Sequence, residues 1–296
     1  MFYARLYAGA YERNIFSVFT YSGNNSNGIY QLKSNIVTAH IRYFDLIMQL
    51  IKRDIDMRFK GAILGVLWPL LTPLLTLAMY TVVFGYFLPS RWPDVEGVAG
   101  FALVLFPGLI IFSFFSECVN RAPTLITTNP NFVKKVVFPL ELLVWVPIGS
   151  AIFHLFLSVI AWTAISLIVN GSLYWTIVFL PIVIAPLVLC MLGITWFLSG
   201  LGVYIRDVAQ LIIVITQALM FLSPVLYPLD KLPEWAARLI MLNPVSFIVE
   251  QGRLVMINGV LPNFTGLLIY TAVSGLVCWL GLRFFRAVRH GFADIL

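Results

Sequence analysis

Charged residues are scarce in this sequence, and their scarcity excludes most classes of soluble protein. Asp, Glu, Lys and Arg make up 11% of the 296 residues, whereas soluble domains contain about 25%. Hydrophobic residues make up 60%, and the mean hydropathy is +0.94. A soluble chain of this length would need more polar side chains to cover its surface. The composition therefore predicts an integral membrane protein.

The sequence motifs of several enzyme and redox classes are also absent. The dipeptide Gly-Lys does not occur, so the chain lacks the GxxxxGK[ST] loop that binds phosphate in many ATPases. It contains no GxSxG nucleophile pattern and no spaced set of metal ligands. Cys118, Cys190 and Cys278 are scattered and form no CxxC pair or disulfide framework. We therefore predict no catalytic residue, no metal site and no cofactor in this chain.

Long uncharged runs predict six α-helical membrane spans. A helix needs about 20 apolar residues to cross a bilayer. Four runs fit one span each: 61–90, 97–116, 208–229 and 254–282. The run 142–205 fits two spans, because an Asn-Gly turn signal within residues 169–175 divides it. The predicted fold is an all-α integral membrane protein.

The distribution of Lys and Arg predicts the orientation of these spans. With the N-terminus inside, the inner segments hold fifteen Lys and Arg residues and the outer segments hold four. Both termini are therefore predicted in the cytoplasm. The net charge of +6 indicates attraction to the anionic inner leaflet, and nothing suggests nucleic-acid binding. We divide the chain into a polar cytoplasmic extension (1–42), an amphipathic helix (43–60) and a six-span region (61–296).

The charged segment before the first span predicts an amphipathic helix over residues 43–60. Its apolar residues recur at three- and four-residue steps: Phe44, Ile47, Ile51, Ile55 and Phe59. Such a helix can lie in the inner membrane interface and anchor the first span. It can also dock a cytoplasmic partner, because the face predicted to be exposed mixes charges of both signs. The candidate docking residues are Lys52, Arg53, Asp54, Asp56 and Arg58.

Two further cytoplasmic segments are candidates for the same contact. The segment 120–141 is polar, and Pro123 and Pro130 can each start a short helix within it. A simple loop with an interfacial lysine pair is an equally good interpretation of this segment. The third cytoplasmic segment is a short turn between two spans. The charged residues singled out in the two segments are Lys134, Lys135, Arg206 and Asp207.

The segment after the fifth span is too charged for a clean span and too apolar for an ordinary loop. We predict two short helices at about 233–242 and 244–258, with Asn243 as N-cap and Pro244 in the first turn. They are predicted to dip into the outer leaflet beside a water-filled pathway, with Glu250 and Arg253 facing the water. A helical cap on the outer surface is the alternative.

Ionisable groups are nearly absent from the predicted spans, and aromatic residues are frequent. His154 is predicted to be a buried histidine with one hydrogen bond rather than a proton relay. Ion-coupled carriers usually need such groups, so if this chain moves a substrate, the energy would come from elsewhere. Most mid-span aromatics contact lipid or other helices, but a subset could stack on sugar rings along a path. The candidates are Tyr80, Phe84, Phe112, Phe115, Trp145 and Trp196.

Five stretches taken together resemble a known family. They are RDIDMRFKGAILGVLWPLLTPLLTLAMYTVVF, NPNFVKKVVFPLELL, VYIRDV, LNPVSFIVEQGR and GFADIL. This combination is similar to the membrane subunits of bacterial ABC exporters of cell-surface polysaccharide, which include the O-antigen, capsule and teichoic-acid systems. The resemblance covers about residues 40–296. The polar extension before it is longer than the usual short lead of that family.

The resemblance implies a fold, partners and a substrate. It implies a homodimer in the bacterial inner membrane that pairs with two ATPase subunits, which hold the ATP and magnesium. The interface helix would match 43–60, a coupling helix 124–135 including Asn129, and the periplasmic gate helices 232–259. The substrate implied is a lipid-linked glycan. Two alternatives remain: the same permease class with another substrate, such as a drug, a lipid or teichoic acid, and a stand-alone secondary carrier.

Overall fold

Every regular element in the described part of the chain is a helix, which confirms the all-α prediction. The computed structural model describes residues 43–59, 68–87, 97–134, 139–229 and 232–296. The predicted extension at 1–42 and the candidate docking residue Lys135 lie outside these ranges. The α-helices are α1 Phe44–Phe59, α2 Trp68–Thr81, α3 Gly97–Arg121, α4 Pro130–Lys134, α5 Trp145–Asn170, α6 Leu180–Tyr204, α7 Val208–Phe221, α8 Glu234–Met241, α9 Ser246–Arg253, α10 Phe264–Val288 and α11 Phe292–Ile295.

Four helical segments are long and apolar enough to cross a membrane. They are Gly97–Arg121, Leu140–Asn170, Trp175–Tyr204 and Phe264–Ile295, at the positions of the second, third, fourth and sixth predicted spans. The helices at the first and fifth predicted spans are shorter, with apolar parts at Leu70–Gly85 and Val208–Phe221. The 14 residues of α7 rise about 21 Å, less than the roughly 30 Å of a hydrocarbon core. The count of six spans therefore stays a prediction.

The last span begins later than the sequence pattern predicts. Residues 254–258 form a π-helical turn that extends α9, and Gly259 ends it with a left-handed φ of 66°. Asn263 then caps α10, where its side-chain oxygen accepts a hydrogen bond from the Gly266 amide. The uncharged run 254–282 therefore contains two elements: the end of the helix predicted at 244–258, and the last span, which begins at Phe264.

The two short helices between the fifth and sixth predicted spans are present in the structure. Helix α8 and the extended α9 lie within the two predicted ranges, and their axes differ by 99°. The second helix begins at Ser246 rather than at Pro244. Entry of this bent pair into the outer leaflet stays a prediction.

Helix α3 is the centre of the packing. It contacts α2, α5, α7 and α9, and its apolar window is the most deeply buried of the four long segments. Trp162 of α5 donates a hydrogen bond from Nε1 to the Leu103 carbonyl of α3 at 3.0 Å. A buried indole N–H needs such a partner, so this bond helps to fix the position of α5 on α3.

Helices α6 and α10 approach each other through their glycines. A Cβ atom at Gly281 would lie 2.1 Å from the Gly193 carbonyl oxygen, and one at Gly193 would lie 2.4 Å from the Val277 carbonyl oxygen. Both contacts are with backbone atoms, which cannot rotate away as a side chain can. Glycine at these two positions is therefore what allows the two helices to pack backbone against backbone.

Candidate functional site

Helix α1 presents two different faces. Ile47 and Leu50 are buried, and Ile51 packs so closely on α5 that a Cβ atom at Gly149 would lie 2.3 Å from its Cδ1. Phe44, by contrast, is 59% exposed although the predicted apolar stripe includes it. The buried face therefore includes Ile47 and Ile51 of the predicted stripe, together with Leu50, but not Phe44.

The charges of α1 are divided between these two faces. Lys52, Arg53 and Asp56 are exposed, as predicted for a docking surface. Asp54 and Arg58 reach toward α3 and α5, with side chains 16% and 30% exposed. The placement of Asp54 on the exposed face was wrong, whereas Arg58 keeps part of its surface exposed. Helical spacing shows that they share a side of α1, but not that α3 and α5 supply partners there.

Asp54 is held by two helices at once. Arg121 of α3 donates from Nη2 to Asp54 Oδ1 at 2.6 Å, and Ser150 of α5 donates to Asp54 Oδ2 at 2.6 Å. Arg58 Nε lies 3.9 Å from the same carboxylate. Both oxygens of this largely buried carboxylate therefore have a partner from outside α1.

A second carboxylate, Glu117 of α3, completes the cluster. Arg58 Nη1 lies 2.7 Å from Glu117 Oε1, and His154 Nδ1 lies 2.8 Å from Glu117 Oε2. Arg58 Nη1 is also 3.4 Å from His154 Nδ1. The single hydrogen bond predicted for His154 is therefore an incomplete description, because this histidine belongs to an ion-pair cluster.

The environment of Asp54 keeps it ionised. Burial alone would raise the pKa of Asp54, but hydrogen bonds from Arg121 and Ser150 and the charges of Arg121 and Arg58 outweigh burial and lower the pKa. The resulting stabilisation is complete above the usual pKa of 3.8 and is lost as the pH falls through the lower folded value. At neutral pH Asp54 is therefore a carboxylate beside the guanidinium groups of Arg121 and Arg58.

A cleft lies between α1 and the turn that follows α3. It encloses about 330 Å³ between Arg53 and Met57 of α1 and Thr124 and Thr128 of the turn. Asn129 also lines the cleft and donates a hydrogen bond to the Leu125 carbonyl at 2.9 Å. Two of the three candidate docking segments therefore meet at one place.

The third candidate segment lies at the end of α6. Arg206 and Asp207 are exposed in the turn before α7. A Cβ atom at Gly202, one turn earlier, would lie 2.0 Å from the Pro123 carbonyl oxygen. The end of α6 is thus in contact with the start of the 122–128 turn, and all three segments lie toward the same end of the described structure.

We expect Gly202→Ala to loosen the turn after α3. The added methyl group would collide with the Pro123 backbone, so the turn must move away from α6. The amides of Leu125, Thr128 and Asn129, which donate to carbonyls within this turn, should then exchange hydrogen about tenfold faster or more, equivalent to roughly 1.4 kcal/mol. Gly275→Ala is the control, because its Cβ would have a single neighbour at 4.0 Å. Unchanged exchange in Gly202→Ala would contradict the contact.

Glu141, just before α5, holds the end of α10 in place through two arginines. This glutamate is 6% exposed, and it pairs with Arg286 at 3.4 Å and with Arg289. Trp196 of α6 donates from Nε1 to the Glu141 carbonyl at 2.9 Å. The sequence indicates only that Glu141 lies near the edge of a span, because its two arginines are far away along the chain.

Arg253 is buried rather than facing water, so the prediction for this residue was wrong. It is 4% exposed. Its Nε donates to the Val104 carbonyl at 3.2 Å and its Nη2 to the Val225 carbonyl at 2.8 Å. Its Nη1 donates to the Pro224 carbonyl and, at 3.0 Å, to Glu250. One guanidinium group thus joins α9 to α3 and to the segment that follows α7.

The other predicted gate residues also hold the bent pair in place. The Asn243 amide group donates to the Leu219 and Leu222 carbonyls at 3.2 and 3.1 Å, and its oxygen accepts from the Val245 amide. The Pro244 carbonyl accepts a hydrogen bond from the Tyr270 hydroxyl at 2.6 Å. The turn between α8 and α9 is therefore tied to both α7 and α10.

Only part of the predicted aromatic path is accessible in the described protomer. Phe112, Phe115 and Trp196 are 5%, 2% and 3% exposed, so they are buried here, and their assignment to a path stays a prediction. Their rings fill the space between helices. Tyr80, Phe84 and Trp145 are partly exposed. Hydropathy places all six within spans but does not distinguish rings that face the core from rings that face a neighbour.

Potential metal and redox groups are dispersed in the described residues. No group of three or more His, Cys, Asp or Glu side chains there is placed to hold a metal ion. Cys118, Cys190 and Cys278 are free thiols, and the first two are buried.

Comparisons with known proteins agree with this architecture. Residues 45–257 match the ABC-2 type transporter family. The chain is 26% identical to the O-antigen export system permease protein RfbA of Myxococcus xanthus, over 88% of this chain and 98% of that protein. It is 27% identical to the protein of the same name from Klebsiella pneumoniae, over 86% and 95%. It is also 26% identical to the polysialic acid transport protein KpsM of Escherichia coli, over 79% and 90%. The resemblance drawn from the sequence is confirmed. This chain belongs to the ABC-2 type transporter family, as a multi-pass membrane permease.

Proposed function

We propose that this chain is the membrane subunit of an ATP-driven exporter that carries a lipid-linked polysaccharide, of the O-antigen or capsule type, across the bacterial inner membrane. The observation that carries the proposal is its similarity to an O-antigen export permease over 98% of that protein's length. Similarity to a polysialic acid transport protein over 90% of its length favours the same substrate class. Both termini are proposed to lie in the cytoplasm.

A separate ATPase would supply the energy. This chain has no phosphate-binding loop of the GxxxxGK[ST] type, so ATP and magnesium would bind to the partner. We place the docking surface on the exposed residues of the three segments that lie toward one end of the structure. They are Lys52, Arg53 and Asp56 of α1, Thr124 and Thr128 after α3, and Arg206 and Asp207 before α7. The half-buried Asn129, next to Thr128, is a candidate as well. Lys134 at the end of α4 is a further candidate.

The translocation path would form between two copies of this chain, each bound to one ATPase subunit. Movement of α1 and of the turn after α3 would open the path, as packed elements in other transporters move as rigid bodies. The bent pair α8 and α9 would close its outer end. The partly exposed rings of Tyr80 and Phe84 are candidates for contact with sugar rings.

Purification from native membranes in mild detergent tests the proposal. We expect an ATPase with a phosphate-binding loop to co-purify in equal amount, and a strain without this chain to lose a surface glycan. A normal glycan together with sensitivity to a drug, or loss of a lipid, would favour another substrate. A chain that repeatedly purifies alone and transports without ATPase would favour a stand-alone carrier.

Charge reversal on the exposed face of α1 should separate ATP hydrolysis from export. We expect Arg53→Glu and Asp56→Lys to insert normally and to reduce export at least about tenfold, since like charges at an interface cost several kcal/mol. Export and ATP hydrolysis would both be measured in vesicles that contain the complex. Asp45→Lys, also exposed on α1 but outside the proposed surface, is the matched control. Normal export in both variants would contradict the docking surface.

A further inference from the structure

Three helices contribute to the ion-pair cluster with one spacing. Each supplies two polar side chains four residues apart, which places them one turn apart on the same face. The pairs are Asp54 and Arg58 of α1, Glu117 and Arg121 of α3, and Ser150 and His154 of α5. The first two pairs each combine an acid with a base, and the third adds a hydroxyl and an imidazole. The acids and the arginines of the cluster are therefore equal in number.

The ion pairs within the cluster cross between helices. The base of α3, Arg121, contacts the acid of α1 at 2.6 Å, and the base of α1, Arg58, contacts the acid of α3 at 2.7 Å. The pairs within one helix are longer, at 3.9 Å in α1 and 3.7 Å in α3. The shortest contacts therefore join two helices. Rotation or sliding of α1 on α3 would break both of them together.

Burial makes these contacts costly to break. The charged side chains are between 16% and 30% exposed, and His154 is 18% exposed. An ion whose partner moves away in such surroundings keeps its desolvation cost without the compensating attraction. The cluster should therefore resist relative motion of its three helices more strongly than the apolar contacts of Ile47 and Leu50 do. Apolar contacts can slide, because they have no required geometry.

The cluster lies between the proposed docking surface and the spans. Asp54 adjoins Arg53 in the sequence, and both line the cleft at the turn after α3 together with Arg121. Glu117 and Arg121 lie in the last two turns of the central helix α3, and Ser150 and His154 lie in the first half of α5. A force applied to the exposed face of α1 would therefore reach α3 and α5 through these side chains.

We propose that the Asp54, Arg58, Glu117, Arg121, Ser150 and His154 cluster is a rigid joint that makes α1 move as one body with α3 and α5, so that a push from a cytoplasmic partner is converted into movement of the spans. These side chains are positioning residues, since they act through the helices and need not contact substrate. The inference rests on the proposed function, because it assumes that a partner drives α1.

The ratio of export to ATP hydrolysis tests the joint. We expect Asp54→Asn and Arg121→Gln to co-purify with the ATPase and to hydrolyse ATP at a rate within about twofold of the original, while export per ATP falls about tenfold. That reduction lies within the usual range of coupling between distant sites. Asp45→Asn on the exposed face of α1 is the matched control and should not change the ratio.

Two further variants distinguish a joint from a purely structural contact. Asp54→Asn combined with Arg121→Gln should be no worse than either change alone, because both remove the same pair. Arg121→Lys keeps the charge and should recover most of the export ratio. An unchanged ratio in variants that assemble normally would overturn the proposal. So would additive losses of the ratio in the double variant.

A distance measurement keeps the joint separate from the proposed function. Spin labels at Gln49→Cys on α1 and Ile160→Cys on α5, with the native cysteines replaced by serine, report how firmly the two helices are held. We expect one narrow distance distribution, with and without nucleotide, and a broad one after Asp54→Asn. A narrow distribution in Asp54→Asn would overturn the joint even if export depends on ATP. Failure of ATP-dependent export with a broadened distribution would overturn the proposed function and leave the joint supported.

Discussion

Replacing Arg253 by methionine is expected to lower the free energy of unfolding by about 3 to 5 kcal/mol, as breaking a buried ionic contact does. Methionine fills much of the same space but donates no hydrogen bond. The Val104, Pro224 and Val225 carbonyls would each lose their bond to the guanidinium group, and an unsatisfied buried acceptor costs about 1 to 3 kcal/mol. Thermal unfolding of the purified protein should show a Tm lower by roughly 10 °C.

Arg238→Met is a matched control for this prediction. Arg238 also pairs with a glutamate one turn earlier, Glu234, but the two side chains are 82% and 89% exposed. Exposed pairs of this kind contribute little, so the Tm should stay near that of the original protein. A small shift for both variants would mean that the contacts of Arg253 do not hold α9 against α3. Gly108→Ala would test the same contacts in a second way. A Cβ atom at Gly108 would lie 2.9 Å from the Arg253 guanidinium and would displace that group.

The second large effect is expected for Gly281→Ala. A single methyl group there would lie 2.1 Å from the Gly193 carbonyl oxygen, so α6 and α10 would have to separate. These two helices contact each other more extensively than any other pair in the described residues. Overpacking typically costs 1 to 3 kcal/mol, and a clash with backbone should reach about 3 kcal/mol or more because no rotamer relieves it. The Tm and the yield of monodisperse protein in detergent would both fall.

Gly275→Ala, on the same helix, is the matched control for Gly281→Ala. Both changes replace a helical glycine by alanine, which by propensity alone stabilises a helix by about 1 kcal/mol. The nearest atom to a Cβ at Gly275 is 4.0 Å away, an ordinary contact. We therefore expect opposite signs, with an unchanged or higher Tm for Gly275→Ala and a lower one for Gly281→Ala. Equal effects in the two variants would contradict the close approach of the helices.

Local sequence patterns predict much of the fold. The amphipathic period places α1 at Phe44–Phe59, one residue inside each end of the predicted 43–60. The proline and asparagine signals place α8 and α9 within their predicted ranges. Gly171, with a left-handed φ of 69°, ends α5 within the predicted break at 169–175. These features depend on residues that are close together in the chain.

The sequence patterns fail where a side chain depends on distant partners. The same i,i+4 spacing occurs in Asp54 and Arg58, in Glu117 and Arg121, and in Ser150 and His154, and it is the one signal that could have indicated the cluster. It does not say which pairs meet. When a charged residue is considered without its partners, the sequence predicts that it is exposed to water. Asp54 and Arg253 were therefore both predicted to be exposed. Burial of each requires partners that only packing brings near.

The sequence by itself determined that this chain is a helical membrane protein without a phosphate-binding loop of its own and with a charged helix before its first predicted span. Composition and short-range periodicity decide these properties, because the bilayer selects for apolar length and the helix for spacing. The tertiary structure alone decided which charges of α1 stay exposed to a partner and which lock it to α3 and α5. It also decided that Arg253 joins helices rather than lining water. The physical reason is that burying a charge is favourable only beside its partners. Packing brings Arg121 to Asp54 from 67 residues away and the Val104 carbonyl to Arg253 from 149 residues away along the chain.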